Sequence, residues 1–141
     1  MPHAGDLTPK EAWDLLADEG AVLVDVRTRP EWMFVGTPDL SGVSGEPVLI
    51  EWQVFPAMGV APDFGEALEA ELSRRGAGKE VPLVFLCRSG VRSSAAASLM
   101  TQHGHSRAYN ITGGFEGGHD AEGHRGTREG WKADGLPWRQ P

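Results

Sequence analysis

Short apolar runs alternate along this chain with segments that carry the start signals of helices. These runs lie at residues 21–27, 48–52 and 81–87, and the stretch SRAYNI at 106–111, although half of it is polar, is a further plausible strand. Runs that are apolar almost throughout are typical of strands that helices cover on both faces. The alternation therefore predicts an α/β protein with a mostly parallel five-stranded sheet and helices on both faces.

The helix starts are marked by residues that can cap the first turn. Thr8 is predicted to cap the first helix, with Pro9 at its first position and Glu11 completing a capping box. Asp63 and Glu66 have the same spacing, which predicts a second capping box. Two further helices are predicted at residues 29–36 and 92–103.

The length of the chain fits one domain that spans all 141 residues. Residues 113–130 contain seven glycines and show no hydrophobic periodicity, so they are predicted to form a long surface loop. Trp131 and Trp138 follow this segment and are expected to anchor the carboxy-terminal end to the core.

The charge and residue composition exclude several classes of function. A net charge of −7 and a pI near 5.1 argue against a nucleic-acid binder. The amino terminus lacks a basic start before an apolar stretch, and no apolar run approaches a membrane span, so we expect a cytoplasmic protein without membrane contact. The five histidines lack the spacing of metal ligands, and neither a metal nor a cofactor is predicted.

Cys87 is the only cysteine of the chain, and it ends the apolar run 81–87. A free cysteine in such a position is commonly an inert packing residue. The residues after it favour a thiolate instead, because a strand, a turn and a helix would aim backbone N–H groups and the positive helix end at the sulfur. Arg88 and Arg92 add positive charge, and Gly90 allows the turn to curl.

The spacing between Cys87 and Arg92 indicates which kind of anion the loop can bind. Four residues separate Cys87 from Arg92, whereas five separate the corresponding residues of cysteine-dependent phosphatases. The shorter loop fits a persulfide, or an anion that brings sulfur to the thiolate, better than a phosphate. Asp25 and Arg27 end another predicted strand, and ligands bind at such strand ends in parallel sheets.

Four stretches of the chain carry a resemblance to the rhodanese family, and this resemblance extends over nearly the whole chain. They read LTPKEAWDLL, VLVDVRTRPEW, LVFLCRSGVRSS and NITGGFEG. The resemblance implies a single rhodanese-like domain with sulfurtransferase activity. Cys87 would attack the outer sulfur of thiosulfate, release sulfite and become a persulfide. That sulfur would then pass to cyanide, a small thiol or the thiol of a partner protein.

The remaining residues of the loop have expected roles around the sulfur. The backbone N–H groups from Arg88 through Ser89, Gly90 and Val91 to Arg92 are expected to stabilise the thiolate and the persulfide. Arg88 is the first candidate for binding the anionic end of thiosulfate. Arg92 is the second, with a structural ion pair as an equal alternative.

The residues that flank the loop have two interpretations each. Ser93 and Ser94 are predicted to cap the following helix, with bonding inside the loop as the alternative for Ser93. Asp25 and Arg27 are expected to steady the loop from the neighbouring strand, as similar residues do in rhodaneses, or to form a plain salt bridge.

The sequence departs from the rhodanese pattern in two places. Residues 33–47 replace a His-Ile-Pro-Gly-Ala-like stretch, and Gly114 precedes Trp131 by 17 positions instead of a few. The segment between them either folds over the active loop and selects the acceptor or is a solvated excursion. Two other classes remain open, which are a cysteine phosphatase or arsenate reductase and a non-catalytic binding module of the same fold.

Overall fold

Five parallel strands form the central sheet of the protein. The structure is a computed structural model that describes residues 3–43, 46–54 and 59–140. In chain order its elements are β1 (Gly5–Leu7), α1 (Pro9–Asp18), β2 (Val22–Asp25), α2 (Arg29–Phe34), β3 (Thr37–Pro38), β4 (Val48–Leu49), β5 (Gln53–Val54), β6 (Gly59–Val60), α3 (Phe64–Arg74), β7 (Leu83–Leu86), α4 (Val91–Gln102), β8 (Ala108–Ile111) and β9 (Trp138–Arg139). The central sheet has the spatial order β1-β8-β7-β2-β4.

The parallel α/β architecture predicted from the apolar runs is confirmed. All four strand pairs of the central sheet are parallel. Four of its strands come from the apolar runs and the stretch 106–111, and the fifth is β1, which the sequence pattern did not reveal. This edge strand has a single large apolar residue, Leu7, and its register is set by pairing with Tyr109 to Ile111 of β8.

Alternate side chains of β7 point to opposite faces of the sheet, and each face has its own helices. Leu83, Phe85 and Cys87 belong to one core cluster with residues of α3 and α4. Val84 and Leu86 belong to the other cluster, with residues of α1 and of the carboxy-terminal segment. Helices therefore cover both faces, as predicted.

The two predicted capping boxes have different outcomes. At the start of α1, Thr8 Oγ1 accepts the Glu11 N–H at 3.1 Å, and the Glu11 carboxylate accepts the Thr8 N–H at 2.9 Å. The box predicted for α3 is wrong. Asp63 occupies the cap position, but its backbone has φ −100° and ψ 12° and its side chain makes no capping bond. A side-chain cap needs an extended backbone at that residue, which α3 lacks.

The glycine-rich segment begins and ends in the core. Phe115 and Trp131 are fully buried, and the Trp131 N–H donates to the Gly114 carbonyl at 2.8 Å. Residues 118–129 between them are largely exposed. The predicted surface loop is therefore shorter than 113–130. Trp131 anchors the end of the chain as expected. Trp138 in β9 is 39% exposed, but its ring packs edge-on against the buried Phe115, with 6.2 Å between the ring centroids.

Within the three described ranges, no helix combines the length and the apolar character that crossing a bilayer requires.

Candidate active site

Cys87 follows β7 directly and lies at the carboxyl edge of the sheet. Its residue is only 1% exposed, and its sulfur points to the face covered by α3 and α4. The Gly90 N–H donates to Sγ at 3.1 Å, and Ser93 Oγ lies 3.2 Å from Sγ. The strand, turn and helix expected around this cysteine are therefore present, with a backbone N–H aimed at the sulfur.

The helix behind the loop starts earlier than predicted. Gly90 is the cap residue of α4, with a left-handed backbone at φ 115°, and the helix begins at Val91. Ser93 and Ser94 thus lie inside the first turn, and their predicted capping role is wrong. Ser93 is instead fully buried and contacts the sulfur, which agrees with the alternative of bonding within the loop.

Backbone bonds from the glycine-rich segment hold the carbonyl groups of the loop. The Phe115 N–H donates to the Cys87 carbonyl at 2.8 Å, and the N–H groups of Glu116 and Gly117 donate to the Arg88 carbonyl at 3.0 Å. We call these three bonds the carbonyl clamp. Because the carbonyls are held on this side, the clamp fixes the path of the loop, and the Gly90 N–H reaches the sulfur.

Arg92 forms a bidentate ion pair with Glu31 of α2. Its two terminal nitrogens donate to the two carboxylate oxygens of Glu31 at 2.7 and 3.0 Å. The same carboxylate accepts the backbone N–H and the hydroxyl of Thr28. Burial disfavours the charge of Glu31, but its bonds to Arg92 and Thr28 outweigh burial and lower its pKa. Of the two alternatives for Arg92, the ion pair is the one observed.

The mouth of the loop is lined by exposed residues. Arg88 and Ser89 are both exposed, and Val91 is 79% exposed. The Arg88 side chain makes no hydrogen bond or ion pair within the residues that the structure covers. Its guanidinium group is therefore available to an anion that approaches the loop from outside.

Asp25 and Arg27 form an ion pair that is fully buried at the end of β2. Arg27 donates to the carboxylate through Nε at 2.9 Å and through a terminal nitrogen at 2.7 Å. The same terminal nitrogen donates to the Gly36 carbonyl at 2.7 Å. The Arg27 guanidinium also lies over the Phe115 ring, 4.3 Å from its centroid. The pair is thus a salt bridge that also packs under the carbonyl clamp.

Three residues of this site were not identified from the sequence. Glu31 binds Arg92, Phe115 carries part of the clamp, and Asn110 Oδ1 lies 2.6 Å from Ser93 Oγ. Each had a local signal. Glu31 follows Thr28 at capping-box spacing, Asn110 interrupts an apolar strand, and Phe115 is a large apolar residue among glycines.

The histidines do not assemble into a metal site in the described ranges, where no three His, Cys, Asp or Glu side chains converge on one point. His105 is buried and its Nε2 lies 2.5 Å from a carboxylate oxygen of Glu69.

The fold and the loop define an α/β protein whose cysteine lies at the carboxyl edge of a parallel sheet, in a loop that bonds its sulfur through the Gly90 amide. A family model described as the rhodanese-like domain matches residues 8–121. The chain therefore belongs to the rhodanese-like domain family.

The chain is similar over most of its length to three known proteins. The crystal structure of Rv0390 from M. tuberculosis is 50% identical, has a TM-score of 0.83 and aligns over 99% of both chains. The uncharacterized protein RC0915 of Rickettsia conorii is 37% identical over 92% of both chains. The thiosulfate sulfurtransferase GlpE of Actinobacillus pleuropneumoniae is 24% identical over 94% of this chain and 90% of its own.

The close packing at Gly114 makes the clamp sensitive to a single methyl group. A Cβ at this residue would lie 2.5 Å from the Cys87 carbonyl oxygen, and its φ of +63° is unfavourable for other residues. We expect Gly114→Ala to lower the free energy of unfolding by about 2–4 kcal/mol in urea titrations. Gly123→Ala is the matched control, because φ is +80° there but no atom lies within 4 Å. Equal losses in the two variants would contradict the close packing.

The lowered pKa of Glu31 predicts a pH-dependent contribution to stability. Such a carboxylate stabilises the fold above its unfolded pKa, near 4.5, and this contribution is lost as the pH falls through the lower folded value. Glu31→Gln should therefore cost about 1–3 kcal/mol at pH 7, and the difference from wild type should shrink below pH 4.5. Urea unfolding across this pH range measures both.

The control for this experiment is Glu66→Gln, which changes an exposed carboxylate in the first turn of α3. A pH-independent difference between wild type and Glu31→Gln would contradict the role given to the ion pair.

Proposed function

We propose that this protein is a sulfurtransferase that carries sulfane sulfur as a persulfide on Cys87. The donor is thiosulfate or a related anion, and the acceptor is cyanide, a small thiol or the thiol of a partner protein. Membership of the rhodanese-like family supports the proposal, as does the similarity to a relative named as a thiosulfate sulfurtransferase.

The observation that carries the proposal is the hydrogen bond from the Gly90 N–H to Sγ of Cys87 at 3.1 Å. It lies at the amino-terminal end of α4, where the first-turn amides have no carbonyl partner in their own helix. These amides and the positive end of the helix stabilise a negative charge on sulfur. The loop can therefore serve a thiolate first and a charged outer sulfur afterwards.

The proposed transfer takes place in two displacements at sulfur. The Cys87 thiolate attacks the outer sulfur of thiosulfate, the sulfur–sulfur bond of the donor breaks, and sulfite leaves with its electron pair. Cys87 then holds a persulfide whose outer sulfur is charged. In the second step the acceptor attacks that outer sulfur and the Cys87 thiolate is restored. Dividing the reaction in this way is the advantage of a covalent intermediate.

Arg88 is proposed to bind the oxygen atoms of the donor. Its exposed side chain stands at the mouth of the loop, whereas the guanidinium group of Arg92 is already occupied by Glu31. Guanidinium groups suit oxyanions because they present paired donors in one plane. In this proposal the anionic end of thiosulfate lies outside the loop and its outer sulfur points towards Cys87.

The position of Arg92 also favours sulfur transfer over phosphate hydrolysis. A phosphatase of this type would need the arginine at the end of its loop to bind the phosphate oxygens. Here that arginine holds a carboxylate with both terminal nitrogens.

With one cysteine in the chain, no second thiol is available to resolve an oxidised intermediate, so the acceptor comes from outside. A free thiol with this task fits the reducing cytoplasm.

The persulfide itself is the first test of the function. Incubation with thiosulfate should add one sulfur atom to the intact mass, and cyanide or dithiothreitol should remove it. Cys87→Ser should gain no sulfur under the same conditions. A wild-type protein that stays unmodified but hydrolyses an aryl phosphate would overturn the proposal in favour of a phosphatase.

Arg88 gives a second test, which concerns donor binding. Arg88→Ala should raise the KM for thiosulfate about tenfold and change kcat less, because the lost contact is made in the ground state as well as in the transition state. Steady-state rates with cyanide as acceptor measure both constants. Arg74→Ala removes an exposed arginine from α3 and should behave as wild type. An unchanged KM in Arg88→Ala would exclude Arg88 from donor binding.

A further inference from the structure

A buried hydroxyl lies between the sulfur of Cys87 and an amide of the neighbouring strand. Ser93 is fully buried, and its Oγ lies 3.2 Å from Cys87 Sγ and 2.6 Å from Asn110 Oδ1. A hydroxyl group has one proton to donate and lone pairs with which to accept. Ser93 can therefore donate to the sulfur or to the amide oxygen, but not to both.

The orientation of the Asn110 amide decides between these two possibilities. Asn110 Nδ2 donates to Asp6 Oδ1 at 3.1 Å. A carboxylate only accepts hydrogen bonds, so it holds the amide nitrogen towards β1 and leaves the amide oxygen facing Ser93. The short contact between that oxygen and Ser93 Oγ then requires the serine proton. A lone pair of Ser93 faces Cys87 as a result.

This arrangement stabilises the thiol, the thiolate and the persulfide of Cys87 to different degrees. A thiol can donate its proton to the Ser93 lone pair, whereas a thiolate receives nothing from it and keeps only the Gly90 N–H. In a persulfide the charge moves to the outer sulfur, and Sγ becomes a neutral atom that needs no donor from Ser93. The free thiolate is therefore the state that this hydrogen-bond chain supports least.

We propose that Asp6, acting through Asn110, turns the Ser93 proton away from Cys87 and so disfavours the free thiolate relative to the thiol and the persulfide. Asp6 and Asn110 are then positioning residues for the reaction, and neither touches the sulfur. The inference rests on the proposed function only in taking Cys87 as the reacting group. Its consequence is that Cys87 is less nucleophilic while it carries no transferred sulfur, and that the persulfide persists once it has formed.

Reversing the direction of the hydrogen bonds from Asp6 through Asn110 to Ser93 has an identifiable cost. For Ser93 to donate to a thiolate, the Asn110 amide must rotate and present its nitrogen to Ser93. Its oxygen would then face the carboxylate of Asp6, and two acceptors in contact repel each other. Removing either Asp6 or Asn110 eliminates this cost, while the Ser93 hydroxyl itself remains.

Other charged groups lie on the loop and on elements next to it, and the proposed variants replace none of them. They are Asp25 and Arg27 at the end of β2, Glu31 on α2, Arg88 in the loop and Arg92 on α4.

The test measures thiolate formation directly, without any sulfur donor. Because the chain has one cysteine, the ultraviolet absorbance of the thiolate can be titrated against pH, with Cys87→Ala in each background as the blank. Asn110→Leu and Asp6→Ala should both move the midpoint of thiolate formation to lower pH, by about half to one pH unit, since Ser93 can then donate to a charged acceptor.

The Ser93→Ala background separates this mechanism from simple charge removal. In that background there is no hydroxyl to direct, so Asn110→Leu should have no further effect and Asp6→Ala should lose most of its shift. Unchanged midpoints in the single variants, or full shifts that persist without Ser93, would overturn the proposal. Asp6 is 56% exposed on an edge strand, so its replacement gives a folded variant even if Asn110→Leu does not fold.

The absorbance titration also keeps this inference separate from the proposed function. A protein that fails to form a persulfide but shows the shifts would overturn the sulfurtransferase proposal alone. A protein that forms the persulfide without showing the shifts would overturn the role of Asp6 alone.

Discussion

The buried ion pair of Asp25 and Arg27 connects the sheet to the loop that carries the cysteine. Two opposite charges with no exposure are costly to bury unless their hydrogen bonds are largely satisfied, and this carboxylate accepts from both the side chain and the backbone of Arg27. The flat guanidinium group also supports the ring of Phe115, whose amide holds the Cys87 carbonyl. The position of the sulfur therefore depends on β2 and the glycine-rich segment as well as on β7.

The loop is held in place by three sets of contacts that originate outside it. The carbonyl clamp comes from the glycine-rich segment, Glu31 ties Arg92 to α2, and Asn110 of β8 meets Ser93. These contacts act on different atoms, since the first binds carbonyls, the second a side chain and the third a hydroxyl. A loop fixed in this way holds the Gly90 amide against the sulfur without having to reorganise when charge develops there, which is the basis of electrostatic preorganisation.

Structural features that depend on residues close together in the sequence could be predicted from it. Features that depend on residues far apart in the sequence could not. The apolar run before Cys87 and the capping residues of α1 are local signals, and both agree with the structure. Strand β1 is different because its three residues have little strand character of their own and are ordered by pairing with β8. The capping box predicted at Asp63 was wrong for another reason. Its spacing to Glu66 fits such a box, but the backbone of Asp63 is not extended.

The site shows the same division between local and distant information. Cys87 and its loop could be singled out because strand, turn and helix follow one another in the chain. The partner of Arg92 lies 61 residues away, so the spacing that marks Glu31 as a capping residue does not reveal its ion pair. The bonds of Asn110 to Ser93 and Asp6 likewise join residues that are far apart in the sequence. Ser93 seemed a helix cap because serine often is one. In the structure Gly90 takes that place, since its left-handed backbone turns the chain so that its own amide meets the sulfur.

The excursion of residues 118–129 leaves the fold and returns to it at nearly the same point. Backbone bonds from Gly126 to Glu116 and from Trp131 to Gly114 join its two ends, next to the residues that hold the Arg88 carbonyl. Because loop-closure entropy rises by only about 0.6 kcal/mol for each doubling of length, such an excursion can be lengthened, shortened or rewritten at little cost. The rim beside Cys87 is therefore a part of the surface that can differ in length and sequence while the carbonyl clamp beneath it is kept.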